Sequence, residues 1–387
     1  MSEFNYKDLE TQYEYFEHPI VQISIDGKKL LDSKKPLSVT ELNVELSSGF
    51  EAGIATISIA GLYNRTDAKF IADNSDVKNY ILLGSTVAIS LGYGHVIREV
   101  FRGFVARVNF RIPNDGMPEV QLTAMDAKGV MMASRHSKKL QAKYYSDAVK
   151  EVLSQVPFLK QKGGDGKDFI ETVVNDTPDK KAAQGKQETG DRRVEMVGES
   201  DYEFLVKAAK KFNFCFYCLG PKLYFTEAMN NNEVLMDLGP TDGLLNMEIE
   251  YDISGLVENV EIRGLDVDKG QEVQGKQKRK STISMGSKAI KLIEKQTRFY
   301  DDPTVSTKEE AGYRAEYLIN RFSYRLCSLK AQFKGMPELV PGRLLHLQAL
   351  GKPVSNTFFL TKVQHVFGDN GYYTEVEGIS KDIGKEA

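Results

Sequence analysis

The sequence has no tryptophan, three cysteines and five histidines among its 387 residues. Without tryptophan there is no indole platform on which a sugar ring would stack, and the 20 Phe and 18 Tyr are expected in strand cores. Three cysteines cannot build a disulfide framework. No apolar run reaches the roughly 18 residues that a membrane-spanning helix requires, so no membrane insertion is expected. Charge of one sign is also missing. The 51 basic and 54 acidic residues leave a net charge of −3, which gives neither a basic field for specific nucleic-acid binding nor an acidic tail for a basic partner. The polar opening MSEFNYKDLETQYEYFEHP lacks the pattern of a secretory signal, and synthesis in the cytoplasm is expected.

Catalytic and metal-binding signatures are equally sparse. Cys215 and Cys218 form a C-x-x-C inside FNFCFYCLGPKLYF. That segment reads as a strand turning at Gly220-Pro221, and residues three apart on a strand point to opposite faces, so the pair reads as packing thiols rather than a zinc or redox site. His18, His95, His136, His346 and His365 are scattered, and no H-E-x-x-H or G-x-S-x-G occurs. GGDGKD at 163–168 lacks the alternating acidic ligands of a calcium loop. No catalytic, cofactor-binding or metal residue is therefore assigned, and the chain is read as a non-enzyme without cofactors.

The positive signal is alternation. PIVQISIDGKKL, ELNVELSSG, ATISIAG, GSTVAISLGYG, FRGFVARVNF and EVQLTAMD read as successive antiparallel strands, with Asn114-Asp115-Gly116 as a turn before the last. The middle changes period. A helix is expected from a Ser146 cap, an exposed loop near 161–193, then a helix-and-hairpin at 200–227 in which Ser200 and Glu203 fit a capping box. Strands return in LLNMEIEYD and VENVEIRGLD. The basic GKQKRKST at 275–282 reads as a solvated loop, a helix near 306–322 is expected behind a Ser306 cap, and a final β meander turns at Asp369-Asn370-Gly371.

The two β regions resemble each other. Adding 258 carries Gly84 to Gly342, Val87 to Leu345, Ile89 to Leu347, Phe101 to Phe359, Val105 to Val363 and Val108 to Val366. Adding 203 carries Leu42-Asn43-Val44-Glu45-Leu46 onto Leu245-Asn246-Met247-Glu248-Ile249, and Ile54, Ile57, Ile59 and Gly61 onto Val257, Val260, Ile262 and Gly264. The offsets differ by 55 residues, which places a 55-residue insertion in the second copy. Shared glycines and a shared L-N-x-E in matching order exceed what two amphipathic strands have in common, and the expectation is one β unit used twice.

SDYEFLVKAAKKFNFCFYCLGPKLYF, FRGFVARVNF…GMPEVQLTAMD, TKEEAGYRAEYLINRFSYR and MPELVPGRLLHLQALG…FFLTKVQHVFGDNGYYTEVEG, in that order, resemble the phage late control D family, the baseplate hubs of contractile tails, which is related to the hub part of type VI secretion spike (VgrG) proteins. The resemblance implies an α+β, mainly β fold: a first tube-like antiparallel β-barrel domain at 1–130, an α+β middle region at 131–240, and a second tube-like domain at 241–387 carrying the insertion. It implies a homotrimer whose six β units match a sixfold tail tube while the other side carries a threefold spike. Tail tube protein, spike and other baseplate proteins would be its partners, in a virion, tailocin or injection particle. The chain reaches EVEGISKDIGKEA without the family's further spike domains, so the spike is expected to be a separate polypeptide. The competing readings are a tail-associated cell-wall hydrolase and a host-surface binding module. Which residues meet tube or spike is unassigned, because facing depends on strand register.

Overall fold

The computed structural model describes residues 2–30, 37–70, 82–114, 117–133, 135–163, 166–183, 193–227, 233–266, 269–279 and 286–383. The chain opens with α1 (Tyr6–Gln12), whose Asn5 cap accepts from the amides of Lys7 and Asp8. The first β unit follows: β1 (Pro19–Ile25), β2 (Lys28–Lys29), β3 (Ser38–Ser47), β4 (Ile54–Ala60), β5 (Tyr63–Asn64), β6 (Lys69–Phe70), β7 (Thr86–Tyr93), β8 (Val96–Arg111) and β9 (Glu119–Met125). The alternating pattern is realised directly. Val87, Ile89 and Leu91 of β7 are fully buried while Thr86, Ala88 and Ser90 on the opposite face are half-exposed. Each such aliphatic side chain stabilises the fold by about 1.5–3 kcal/mol.

The middle region contains α2 (Ala127–Met131), β10 (His136–Lys139), α3 (Tyr145–Gln155), β11 (Glu171–Val174), α4 (Pro178–Ala183), β12 (Glu195–Glu199), α5 (Asp201–Phe212), β13 (Phe214–Leu219) and β14 (Lys222–Glu227). Both halves of the Ser200/Glu203 capping box are made, and α5 ends at Asn213 in the left-handed region, φ 57°. Phe204, Phe212, Phe216 and Phe225 pack with Val149 and Val152 into a separate core. Two sequence expectations change here. Ser146 lies inside α3 with its amide donating to Thr177 Oγ1, so it is no cap. The stretch 161–193 is only partly loop: β11 runs parallel to β14, Phe169 and Ile170 are buried, and α4 follows. Its polar composition hid a short strand whose partner lies some fifty residues away; 164–165 and 184–192 lie outside the described residues.

The last part comprises β15 (Val234–Leu238), β16 (Leu244–Tyr251), β17 (Asn259–Asp266), β18 (Gln271–Lys278), α6 (Gly286–Ile293), β19 (Thr297–Asp301), α7 (Lys308–Ser323), β20 (Cys327–Lys334), β21 (Leu344–Leu347), β22 (Asn356–Gly368) and β23 (Gly371–Ser380). The capping residue of α7 is Thr307, not Ser306: its side chain accepts from the Glu310 amide, while Ser306 bonds the Glu310 carboxylate. Much of the basic patch is strand, since Gly275–Lys278 belong to β18; residues 280–282 lie outside the described residues. Gly275 is needed there, because a Cβ would stand 2.3 Å from the Ala311 carbonyl carbon of α7.

The fold is thus mainly β with an α+β middle, as expected. One 13-stranded sheet contains both β units, in the order β16-β20-β23-β22-β3-β4-β9-β8-β7-β1-β2, with β21 on β22 and β15 on β21. The first unit is curled: β3 and β8, three places apart in the sheet, bring Cα atoms within 8 Å of each other. The repeat is visible in its bulges. β3 is irregular between Val39 and Glu41 against β4, and β16 between Leu244 and Asn246 against β20, an offset of 205. β8 is irregular between Val105 and Arg107 against β9, and β22 between Leu360 and Lys362 against β23, an offset of 255. Bulges set register, so they date the correspondence more firmly than apolar pattern does.

These offsets correct the sequence alignment. Gly84 and Gly342 do correspond at 258, but the long strands are shifted by three because the two hairpins differ at their tips. β7 and β8 meet at a two-residue turn, whereas Gln348–Ser355 separate β21 from β22. Phe359 therefore matches Phe104 rather than Phe101, and both are buried. The counterpart of β4 is β20, not β17: Val260 and Ile262 belong to a separate sheet, β18-β17-β19, covered by α7. The insertion begins as soon as β16 ends. The turn tip Asp115-Gly116 lies outside the described residues.

Candidate functional surface

One face of the long sheet holds the cores; the other is polar, because successive strand side chains leave opposite sides. Two rows cross five strands. Asn246, Gln332, Glu375, Gln364 and Glu45 are successive register partners on β16, β20, β23, β22 and β3. Glu248, Lys330, Glu377, Lys362 and Ser47 form the adjoining row, with charge alternating strand by strand. Opposite charges directly across a strand pair favour this register by about 0.2–1 kcal/mol each. Asn246 Nδ2 donates to Gln332 Oε1 at 3.0 Å and Gln332 Nε2 to Glu375 Oε1 at 3.2 Å. Gln364 Nε2 donates to Asn43 Oδ1 at 2.9 Å, across the seam where β22 meets β3. These side chains line a groove of about 590 Å³ running over the seam. Its lining mixes the amides, carboxylates and ammonium groups of these rows with apolar side chains such as Leu46, Ile54, Met247 and Val376.

The seam is locked from the core side by a buried polar group. Glu338, in the loop after β20, accepts from the Tyr13 hydroxyl and lies 2.6 Å from Arg98 Nε of β8. Tyr93 of β7 donates to the Gly335 carbonyl at 2.9 Å. Burial pushes the Glu338 carboxyl and the Tyr13 hydroxyl upward, while Arg98 pulls both the other way. The N-terminal segment and both β units thus share one charge-assisted contact. His365, fully buried on β22 beside this group, has Nδ1 2.9 Å from the Tyr372 hydroxyl, and burial pulls it down to about 3.

The sequence-marked cysteines and histidines do not converge. Cys218 points into the middle core and Cys215 to the other side of β13, with burial pushing Cys215 up to about 12. His136 Nε2 is 2.9 Å from Asp201, His346 Nδ1 is 2.9 Å from Asp237, and these pairs sit in different parts of the fold. Among the described residues no three His, Cys, Asp or Glu side chains are arranged to hold a metal, and no helix is long and apolar enough to cross a membrane. The polar rows were missed in the sequence. Their signal was present as the polar half of N-V-E-L, E-I-E-Y and K-V-Q-H-V, but which rows adjoin is set by register.

The family model described as the Alg8 N-terminal domain matches residues 18–369. No curated protein sequence matches the chain. Among solved structures, a tail protein from Neisseria meningitidis MC58 is similar at a TM-score of 0.63 and 14% identity, over 94% of this chain and 97% of that one. The 43 kDa tail protein of prophage MuSo2 from Shewanella oneidensis is similar at 0.63 and 13%, over 94% and 98%. An E. coli component of the type VI secretion system, described as structurally similar to T4 bacteriophage tail proteins, gives 0.53 and 10%, over 94% and 79%. At these identities the likeness is one of fold.

Proposed function

The chain belongs to the Alg8 N-terminal domain family, and from its tail-protein fold and its doubled β unit we propose that it is a structural baseplate hub of a contractile tail or injection system. Three copies form a ring of six β units, which adapts a sixfold tail tube to a threefold spike. The observation that carries this reading is the repeat: five strands of each unit share an order and two bulges, and the units are already joined into one sheet at the β22–β3 seam. Two similar units in one chain act as fused subunits, and a closed trimer of such chains presents six near-equivalent faces. The polar rows would face the passage. The late control D resemblance and the tail-protein fold support the same assignment.

The partners on this reading are the tube protein, a spike protein and other baseplate proteins. The chain is made in the bacterial cytoplasm and then built into the particle, without catalysis of its own. Light scattering of the purified chain, with negative-stain imaging, tests it: a mass of three chains and a ring with a central channel are expected. A monomer at high concentration, alone and with tube and spike proteins, would contradict it.

A further inference from the structure

Resting on the ring reading, we propose how neighbouring copies of this chain join. The outer edge of β8 and its continuation, residues 107–112, pairs antiparallel with β16 and the residue that follows it in the next copy, residues 247–252, with Arg111 opposite Glu248 and Arg107 opposite Asp252.

The derivation starts from the seam inside the chain, where β22 pairs β3 from Lys362–Ser47 through Val363–Leu46 to Phe367–Leu42. The bulges map β22 onto β8 by subtracting 255 and β3 onto β16 by adding 205. Applied to the seam, these offsets set Arg107 against Asp252, Val108 against Tyr251, Asn109 against Glu250, Phe110 against Ile249, Arg111 against Glu248 and Ile112 against Met247. Both edges are open. Among the described residues β16 ends the sheet, and beyond Val105 β8 has a partner only on its β9 side.

Chemistry did not enter that mapping, yet it agrees. Both arginines fall opposite carboxylates on the polar face. A shift of two residues in either direction keeps one opposite-charge pair of the two, and a shift of one sets polar side chains against the apolar face. Arg111 already carries Glu119 at 3.2 Å on its own chain. The new contact therefore continues the alternating row as Glu119, Arg111, then Glu248, Lys330, Glu377 and Lys362 of the neighbour. On the other face Phe110 is 50% exposed, and Met247 and Ile249 are only partly buried. Their counterparts across the internal seam, Leu42 and Val44, are fully buried. An edge whose twin is covered by a strand of this fold is fitted to a second copy. The contact joins two different edges, so it is heterologous and closes only as a ring.

Backbone geometry selects the probe. The Ser48 amide donates to the Thr361 carbonyl at 3.0 Å, so Gln364–Glu45 is a non-hydrogen-bonded pair, and its transferred equivalent is Asn109–Glu250. Such pairs bring Cα atoms to about 4.5 Å, within disulfide range. The full-length double variant Asn109→Cys/Glu250→Cys should form inter-chain disulfides under mild oxidation, appearing as dimer and trimer bands without reductant. The shifted pair Asn109→Cys/Glu248→Cys should cross-link far less. Independently, Arg111→Glu should weaken assembly about tenfold or more, and Arg111→Glu/Glu248→Arg should recover it. A native-mass ring that cross-links best at the shifted pair, or at neither pair, or whose charge reversal gives no recovery, overturns this pairing and leaves the ring reading standing. A wild-type chain that stays monomeric overturns both.

Discussion

Gly84 and Gly342 hold the same backbone conformation, φ 84° and 83°, and each donates its amide at 2.8 Å to the long strand behind it, Gly84 to Val105 and Gly342 to Leu360. Each carbonyl belongs to the residue just before a bulge. The two β units thus share an anchor as well as a strand order, with a glycine at the point where the chain enters the hairpin in a left-handed conformation that a Cβ disfavours.

The shared anchor predicts a shared cost. Gly84→Ala should destabilise the protein by about 1–2 kcal/mol through backbone strain alone, since a Cβ there meets nothing within 4 Å. Gly342→Ala should cost about the same, because its Cβ would meet the Tyr217 ring only at ordinary van der Waals distance, 3.4 Å. Urea unfolding of both variants is the measurement. Two near-zero effects would remove the argument that these glycines are conformational anchors.

This pair also shows what was legible in the sequence. The glycines, the alternation and the Ser200/Glu203 cap were readable because each is a local rule: a φ requirement, a period of two, a three-residue spacing. The strand correspondence was half readable. Leu42 aligned to Leu245 instead of Met247, two residues out, because a slip of two keeps every side chain on its face and leaves the apolar pattern intact. The bulges that fix the true offset have no sequence signature. Likewise β17 imitated the counterpart of β4, since Val260 and Ile262 are as buried in their own small sheet as Ile57 and Ile59 are in the large one. The polar rows depend on five strands from both ends of the chain, so nothing local could have shown Lys330 lying between Glu248 and Glu377.

The C-x-x-C pair should be chemically silent. Burial pushes Cys215 up to about 12, Cys327 up to about 11 and Cys218 higher than its usual range, so at pH 8 the folded protein offers almost no thiolate. An aromatic disulfide reagent should react slowly with native protein and promptly with three thiols in denaturant. A chelator should leave the melting temperature unchanged. Fast reaction of two thiols in the native state would restore a redox or metal role to the motif.

The lock at Glu338 should behave as a buried charge held by a partner. Arg98→Ala leaves the carboxylate with the Tyr13 hydroxyl as its remaining side-chain partner, and should cost about 1–3 kcal/mol, tempered because Arg98 itself is partly exposed. Adding Glu338→Gln should recover part of that loss, because a neutral amide needs no counter-charge. The double-mutant cycle, read by chemical denaturation, is the test, and strict additivity of the two changes would show that the pair is not coupled.

His365 should make the fold sensitive to mild acid. Its unfolded value is near 6.5, while burial holds it down to about 3 in the folded chain. Between those values the unfolded state binds a proton that the folded state refuses. The stabilising effect of keeping this ring neutral is therefore complete above about pH 7 and is lost as the pH falls, with a slope approaching about 1.4 kcal/mol per pH unit. Carboxylates held low by their partners, such as Glu310 beside Lys211 and Asp302 bonded by Thr304, add their own losses only nearer pH 4, whereas Glu338 and Asp126, pushed up by burial, act in the opposite sense as the pH falls, so the histidine is read from the difference between wild type and variant across pH 7 to 5. His365→Gln should lower stability at neutral pH, since it disturbs a fully buried site against Tyr372, but should flatten the slope in that window. Denaturant midpoints for both proteins at pH 7, 6 and 5 decide the matter: a wild-type profile as flat as the variant's would mean that the ring is not titrating from a buried neutral state.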